Sequence, residues 1–202
     1  GDDLAEVGFD IINIANNHML DMGAKGYENS INYWKEKGEE KNLTVIGGYT
    51  KSDYDNIRYI AANGIKIALL SYTTLINYGH KNDIPAGSDL IVPYANEADM
   101  RRQVALAKDG GADAIVVAMH WGVEDDFKPN AEQKKYAKIL ADLGVDVILG
   151  SHSHTLQPVE WIEGENGNKT LCAYSLGNLI STMYYSYYMV GGILTFDLVK
   201  TE

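Results

Sequence analysis

Three short apolar runs, Ile11 to Ala15, Ala114 to Ala118 and Val145 to Leu149, are each followed within a few residues by histidine. Runs of this length and composition read as buried strands. In an open α/β sheet, the residues just past the carboxyl ends of strands converge on one crevice, where such folds bind ligands. His18, His120, His152 and His154 are therefore expected to meet at one edge of a sheet. Imidazoles gathered from separate strands are what a transition-metal site requires.

Hydrophobic residues make up 46% of the 202-residue chain, enough for a sizeable core within one domain spanning residues 1–202. With 28 acidic against 17 basic residues, the formal net charge is -11. That balance argues against nucleic acid, whose backbone rewards clustered Lys and Arg. It also repels anionic membranes, so a phosphate-bearing substrate needs a local positive centre such as a metal. Cys172, the sole cysteine, excludes an intrachain disulfide and reads as a small buried hydrophobe. No membrane-spanning run or signal peptide is present.

Along the chain, helical spacing of Tyr27, Ile31 and Trp34 predicts a helix from Ala24 to Lys37, with Gly38 as its stop. Leu43 to Ile46 predicts a short strand. Asn63-Gly64 between the apolar runs 57–62 and 65–72 is a two-residue hairpin signal. Residues 76–93 read as loop, with His80 solvated. A further helix is expected over 97–108. Another follows Asn130, with Gln133 placed for a capping box and Tyr136, Ile139, Leu140 and Leu143 as its apolar stripe. The remainder reads as β: 159–162, a turn at Asn166-Gly167, 170–176, and 192–199. The aromatic run Met183 to Met189 is expected to pack as loop or strand against the sheet. These elements predict mixed sheets with helices outside, not a TIM barrel.

The strongest chemical signal is Gly150-Ser151-His152-Ser153-His154. In an extended segment alternate residues point the same way, so both imidazoles reach one metal cluster. His120 in Met119-His120-Trp121-Gly122 and His18 in Asn16-Asn17-His18 are weaker signals alone, and each could simply be a hydrogen-bonded turn residue. Their joint placement after separate strands is what favours ligation.

Four segments also look familiar. Asn16-Asn17-His18-Met19-Leu20-Asp21-Met22-Gly23 resembles the ANNHxLDxG signature of bacterial capsule-synthesis proteins of the CapA/PgsA type, associated with poly-γ-glutamate. His120-Trp121-Gly122-Val123-Glu124 resembles the HWGxE segment of that family. Gly150 to Glu160 is similar to its GxHxHxxQPxE stretch, and Tyr174 to Asn178 to its YSLGN. The family is a branch of the calcineurin-like metallophosphoesterases. The resemblance implies a four-layer α/β/β/α sandwich, here lacking N-terminal strands, that holds divalent metals, two in the full-length protein, of the Mn, Fe or Zn type. It implies Asn17, His120, His152 and His154 as metal ligands and His18 as the catalytic group beside a substrate phosphate. Asp21, Glu124 and Asn178 are expected to line the pocket or to steady these groups.

The superfamily's acidic ligands lie upstream of Asn-His, so the chain reads as an N-terminally incomplete domain. The implied function is metal-dependent phosphoester hydrolysis in capsule biosynthesis at the extracellular face of the envelope, with anchoring through a segment outside this sequence. Partners implied are an envelope polymer or phosphorylated small substrate, and membrane subunits of a capsule synthase. Two alternatives remain open at this point. One is a non-catalytic scaffold or polymer-binding domain with a vestigial metal site. The other is an amidohydrolase-type barrel, which also uses His-x-His but places it after its first strand.

Overall fold

The computed structural model describes residues 2–77 and 83–200, so His80 lies outside the described residues. Its centre is a six-stranded mixed sheet. β4 (Arg58–Ala62) and β5 (Ile65–Thr73) form the hairpin, with Asn63 at φ 52° and Gly64 at φ 79°, as a type I′ turn requires. Parallel strands β7 (Ala114–His120), β8 (Val147–Ser151) and β10 (Lys169–Ala173) continue from β5, and β9 (Val159–Glu163) closes the far edge antiparallel to β10. The sheet order is β4-β5-β7-β8-β10-β9.

Period-two alternation divides the sheet residues between two faces. Ala68, Leu70, Tyr72, Ile115, Val117, Met119, Ile148 and Cys172 point to one side. There they pack on Met100, Val104 and Ala107 of α3 (Glu97–Asp109) and on Ala137 and Leu140 of α4 (Ala131–Asp142). Cys172 is fully buried. The capping box forms as expected: Asn130 Oδ1 accepts from Gln133 N, and Gln133 Oε1 accepts from Asn130 N. Gln133 is itself buried, and its Nε2 donates to Gln157 Oε1.

On the opposite face lies a short parallel pair, β1 (Ile11–Asn13) and β2 (Thr44–Ile46), tied to β5 by a 2.6 Å bond from Ser71 Oγ to Asn13 Oδ1. α2 (Gly23–Lys41) packs on β2, which gives the α/β/β/α layering of a metallophosphoesterase-like sandwich. A second ribbon joins β3 (Tyr49–Thr50) to β6 (Leu90–Ile91). Farther along the main sheet, Val116, Ala118, Leu149 and Leu171 on this face are only half-buried, and Trp161 of β9 is 65% exposed.

Several expectations are corrected. The helix α2 runs through Gly38 and stops at Asn42, whose left-handed φ of 56° lets its N–H close back on Gly38 O. Gly38 instead makes room for the returning chain, since a Cβ there would sit 2.9 Å from Leu43 O. The 76–93 region contributes the strand β6. Residues 192–199 form no strand; the chain there is held by Gly192 N–H donating to Leu176 O and by Lys200 on Asp113. Residues 2–6 add a short helix, α1 (Asp2–Glu6), that periodicity did not indicate. The aromatic run becomes a 3₁₀ turn over Ser186–Met189, with Tyr188 buried and Tyr184 exposed.

Candidate metal centre

Because β5, β7 and β8 are parallel and in register, Thr73, His120 and Ser151 stand side by side at their carboxyl ends. Packing beneath fixes this register. A Cβ on Gly150 would fall 2.0 Å from Tyr174 O, so only glycine lets the fully buried Trp121 donate its Nε1–H to that carbonyl at 2.9 Å. Trp121 follows His120 and Gly150 precedes Ser151, so one close approach under the sheet edge sets both histidine-bearing ends.

The site is assembled from three strand ends. After β1, Asn16 shapes the first by accepting His18 N–H at 2.8 Å and donating to Ile14 O. This buries Asn17 and leaves His18 exposed. Asn17 Oδ1 stands 3.0 Å from His120 Nε2, and His120 Nδ1 is 3.1 Å from Ser151 Oγ. The rings of His120 and His152 are 4.7 Å apart, and those of His152 and His154 6.2 Å. His154 Nδ1 is 2.8 Å from Asn178 Oδ1, while Asn178 Nδ2 donates to Tyr188 O. A carbonyl can only accept, so Asn178 presents its oxygen to His154. His154 therefore donates from Nδ1.

The His-x-His segment is not extended, which corrects the expected geometry. His152 and His154 take φ values of 104° and 60°, a region that non-glycine residues rarely adopt. The intervening Ser153 is buried with its hydroxyl on Thr155 O, so the two rings meet through a double bend. His18 lies on the other side of Asn17, with Nδ1 2.6 Å from Asp21 Oδ2. Glu124 is exposed, yet close enough that its carboxylate favours protonated His152.

Electrostatics keep the inner imidazoles neutral. Burial, reinforced by His152, His154 and His18, lowers the His120 pKa to about 3. Burial shifts His152 in the same direction, with His154 and His18 assisting. Neutral imidazole is the metal-binding form.

These groups have the chemistry to hold one divalent cation. His152 Nδ1 is buried with no hydrogen-bond partner, the kind of orphaned polar atom that a bound ion satisfies. Asn17 Oδ1 and His120 Nε2 face each other, bridged in the free protein by a proton that a cation can replace. Among the described residues, no three His, Cys, Asp or Glu side chains lie close enough to hold an ion by themselves. The donor set is thus two imidazoles and an amide, with His154 farther out and no carboxylate joining them. A cavity of about 530 Å³ between α2 and β4, lined by Trp34 and Tyr59, lies away from these imidazoles.

Sequence reasoning missed Asn77, which follows β5 as the histidines follow β1, β7 and β8. Its side chain touches Asn17, His18 and Asp21. Position after a strand was the available signal, masked by the loop-like composition of residues 76–93. Tyr188 was also missed: its ring stands edge-on to His154, 6.1 Å away, and its hydroxyl bonds Asp125.

The sequence matches the family described as bacterial capsule synthesis protein PGA_cap over residues 1–183. It is 34% identical over 185 residues to the PGA biosynthesis protein CapA of Bacillus subtilis (strain 168), covering 88% of this chain and 44% of that protein. It is 36% identical over 179 residues to the capsule biosynthesis protein CapA of Bacillus anthracis, covering 87% of this chain and 41% of that one. The chain thus spans less than half the length of these relatives. Among solved structures, the fold is similar to Haemophilus influenzae NAD nucleotidase, with a TM-score of 0.53 at 18% identity over 85% of this chain and 36% of that one. It is similar also to the sulfate thiohydrolase SoxB of Thermus thermophilus, with a TM-score of 0.53 at 17% identity over 85% of this chain and 29% of that one.

Proposed function

Because the chain belongs to the bacterial capsule synthesis protein family PGA_cap, we propose that it supplies a metal-dependent, phosphoesterase-like hydrolase domain to capsule or poly-γ-glutamate biosynthesis at the cell surface. One observation carries the reading. Asn17, His120 and His152, from the ends of three separate strands, converge with two imidazoles held neutral and one imidazole nitrogen unpartnered.

In this reading Asn17 Oδ1, His120 and His152 would hold a divalent cation, with the His154 ring 6.2 Å from that of His152. When bound, the cation lowers the pKa of a coordinated water and polarises a phosphoryl oxygen. His18 does the proton work. Asp21 accepts from its Nδ1, which fixes the tautomer and leaves Nε2 to exchange a proton with a substrate oxygen. The substrate is an envelope polymer or a phosphorylated small molecule, and the membrane subunits of a capsule synthase are the partners. Among the described residues no helix is long and apolar enough to cross a membrane.

The test is manganese uptake measured with p-nitrophenyl phosphate hydrolysis. Wild type is expected to bind the metal and turn over, and His152→Ala to lose both. A wild type that takes up no metal and hydrolyses nothing would refute the proposal. A second reading, a scaffold or polymer-binding domain holding one structural metal, fits the small donor set of two imidazoles and one amide among the described residues. Metal uptake without turnover would select it.

A further inference from the structure

We propose that Asn77 is a positioning residue that, together with Asp21, sets which atom of the Asn17 amide faces the metal pocket. The inference rests on the metal-site reading above and names a residue that reading does not use. An asparagine side chain offers oxygen and nitrogen at nearly equal reach, so a flip costs nothing unless its neighbours discriminate. For Asn17 a flip is decisive: oxygen toward His120 makes a ligand, whereas nitrogen there would repel a cation.

The discrimination starts at a group that cannot flip its sense. The Asp21 carboxylate only accepts. Its Oδ2 takes the Nδ1–H of His18 at 2.6 Å, and its Oδ1 lies 3.0 Å from Asn77. The atom of Asn77 there must therefore be Nδ2; its 2.8 Å approach to His18 Nδ1 is a contact and not a second hydrogen bond, because the proton on that ring nitrogen goes to Asp21. Asn77 Oδ1 is then the atom facing Asn17, 2.8 Å away, and an oxygen requires a donor opposite it. Asn17 Nδ2 is fixed in that position, so Asn17 Oδ1 points to His120 Nε2 at 3.0 Å. A backbone bond from Asn77 N to Asn17 O at 2.9 Å holds the two residues in register. Donor sense thus passes from a carboxylate through two amides to the pocket. The same carboxylate orients His18, so the proton-carrying side and the metal side of the site share one anchor.

Two substitutions separate this relay from simple packing. Asn77→Leu keeps the branched shape and removes both polar ends. Asn77→Asp keeps an acceptor facing Asn17 Nδ2 and sets a carboxylate in place of the donor to Asp21. The first readout, in metal-free protein, is hydrogen exchange of the Asn17 side-chain amide by nitrogen-15 NMR. Exchange is expected to quicken on the order of tenfold in Asn77→Leu and to stay near wild type in Asn77→Asp. The second is Mn²⁺ affinity by calorimetry, expected to weaken about 10- to 100-fold in Asn77→Leu, the usual scale for residues that orient a ligand, and far less in Asn77→Asp. Equal exchange rates in all three proteins, or equal losses in both variants, would overturn the relay. A wild type that binds no Mn²⁺ but shows the exchange pattern would overturn the metal reading and leave the relay standing.

Discussion

Acidification is expected to loosen this fold well before its carboxylates titrate, and His120 is the reason. Its pKa is lowered to about 3 in the fold, against the ordinary 6.5, chiefly by burial. Above 6.5 both folded and unfolded chains leave this imidazole neutral, so it contributes no pH dependence there. Between 6.5 and 3 the unfolded chain binds a proton that the folded chain does not, and stability therefore falls with pH. Linkage over these two pKa values gives a loss of about 2 kcal/mol on going from about pH 7 to about pH 5, rising to roughly 4 kcal/mol near pH 3. That is a sizeable part of the roughly 5–15 kcal/mol that holds a typical domain together. Asp99 and Asp113 are lowered from 3.8 and stay out of the upper window, and Asp146, raised by burial, acts with the opposite sign. The assay is urea unfolding at several pH values with a chelator present, for wild type and His120→Gln. The variant is expected to lose about 2 kcal/mol less than wild type over the same interval. His152, shifted in the same direction, leaves it a residual slope. Parallel pH profiles for the two proteins would refute the assignment of a buried neutral imidazole at position 120.

Gly150→Ala drives a methyl group into Tyr174 O and Trp121 Nε1. Thermal or urea unfolding should show a loss of about 2–5 kcal/mol from overpacking and a broken buried hydrogen bond, together with weakened Mn²⁺ binding, since both histidine-bearing strand ends move. Gln133→Leu strands Gln157 Oε1 and the Asn130 N–H, and unfolding curves should record about 1–3 kcal/mol of destabilisation. Asn130→Ala removes only the cap of α4. It should cost about 1 kcal/mol while leaving Mn²⁺ affinity at the wild-type value, which calorimetry can check.

Much of the architecture was legible in short stretches of sequence, because the interactions that decide them are themselves short. Asn63-Gly64 specifies its hairpin through the positive φ that both residues tolerate. Asn130 and Gln133 announce a helix start through two bonds spanning three residues. The apolar runs before His18, His120 and His152 specify strands through period and burial, and the carboxyl-end rule then places the histidines along one edge. Local signals failed where a distant contact outweighed them. Gly38 resembles a stop, yet it serves close packing under Leu43. Residues 192–199 have strand composition yet run outside every sheet.

What the tertiary structure alone decided is the polar wiring of the site. Asn17 meets His120 across 103 positions, Asn77 meets Asn17 across 60, and His154 meets Asn178 across 24. No periodicity encodes such pairs. Their geometry depends on strand register, on the bends at His152 and His154, and on the glycine that lets Trp121 reach Tyr174. Composition and local turn chemistry thus determined that imidazoles would collect at one sheet edge. Which nitrogen or oxygen each side chain offers there depends on neighbours that only folding brings within hydrogen-bond reach.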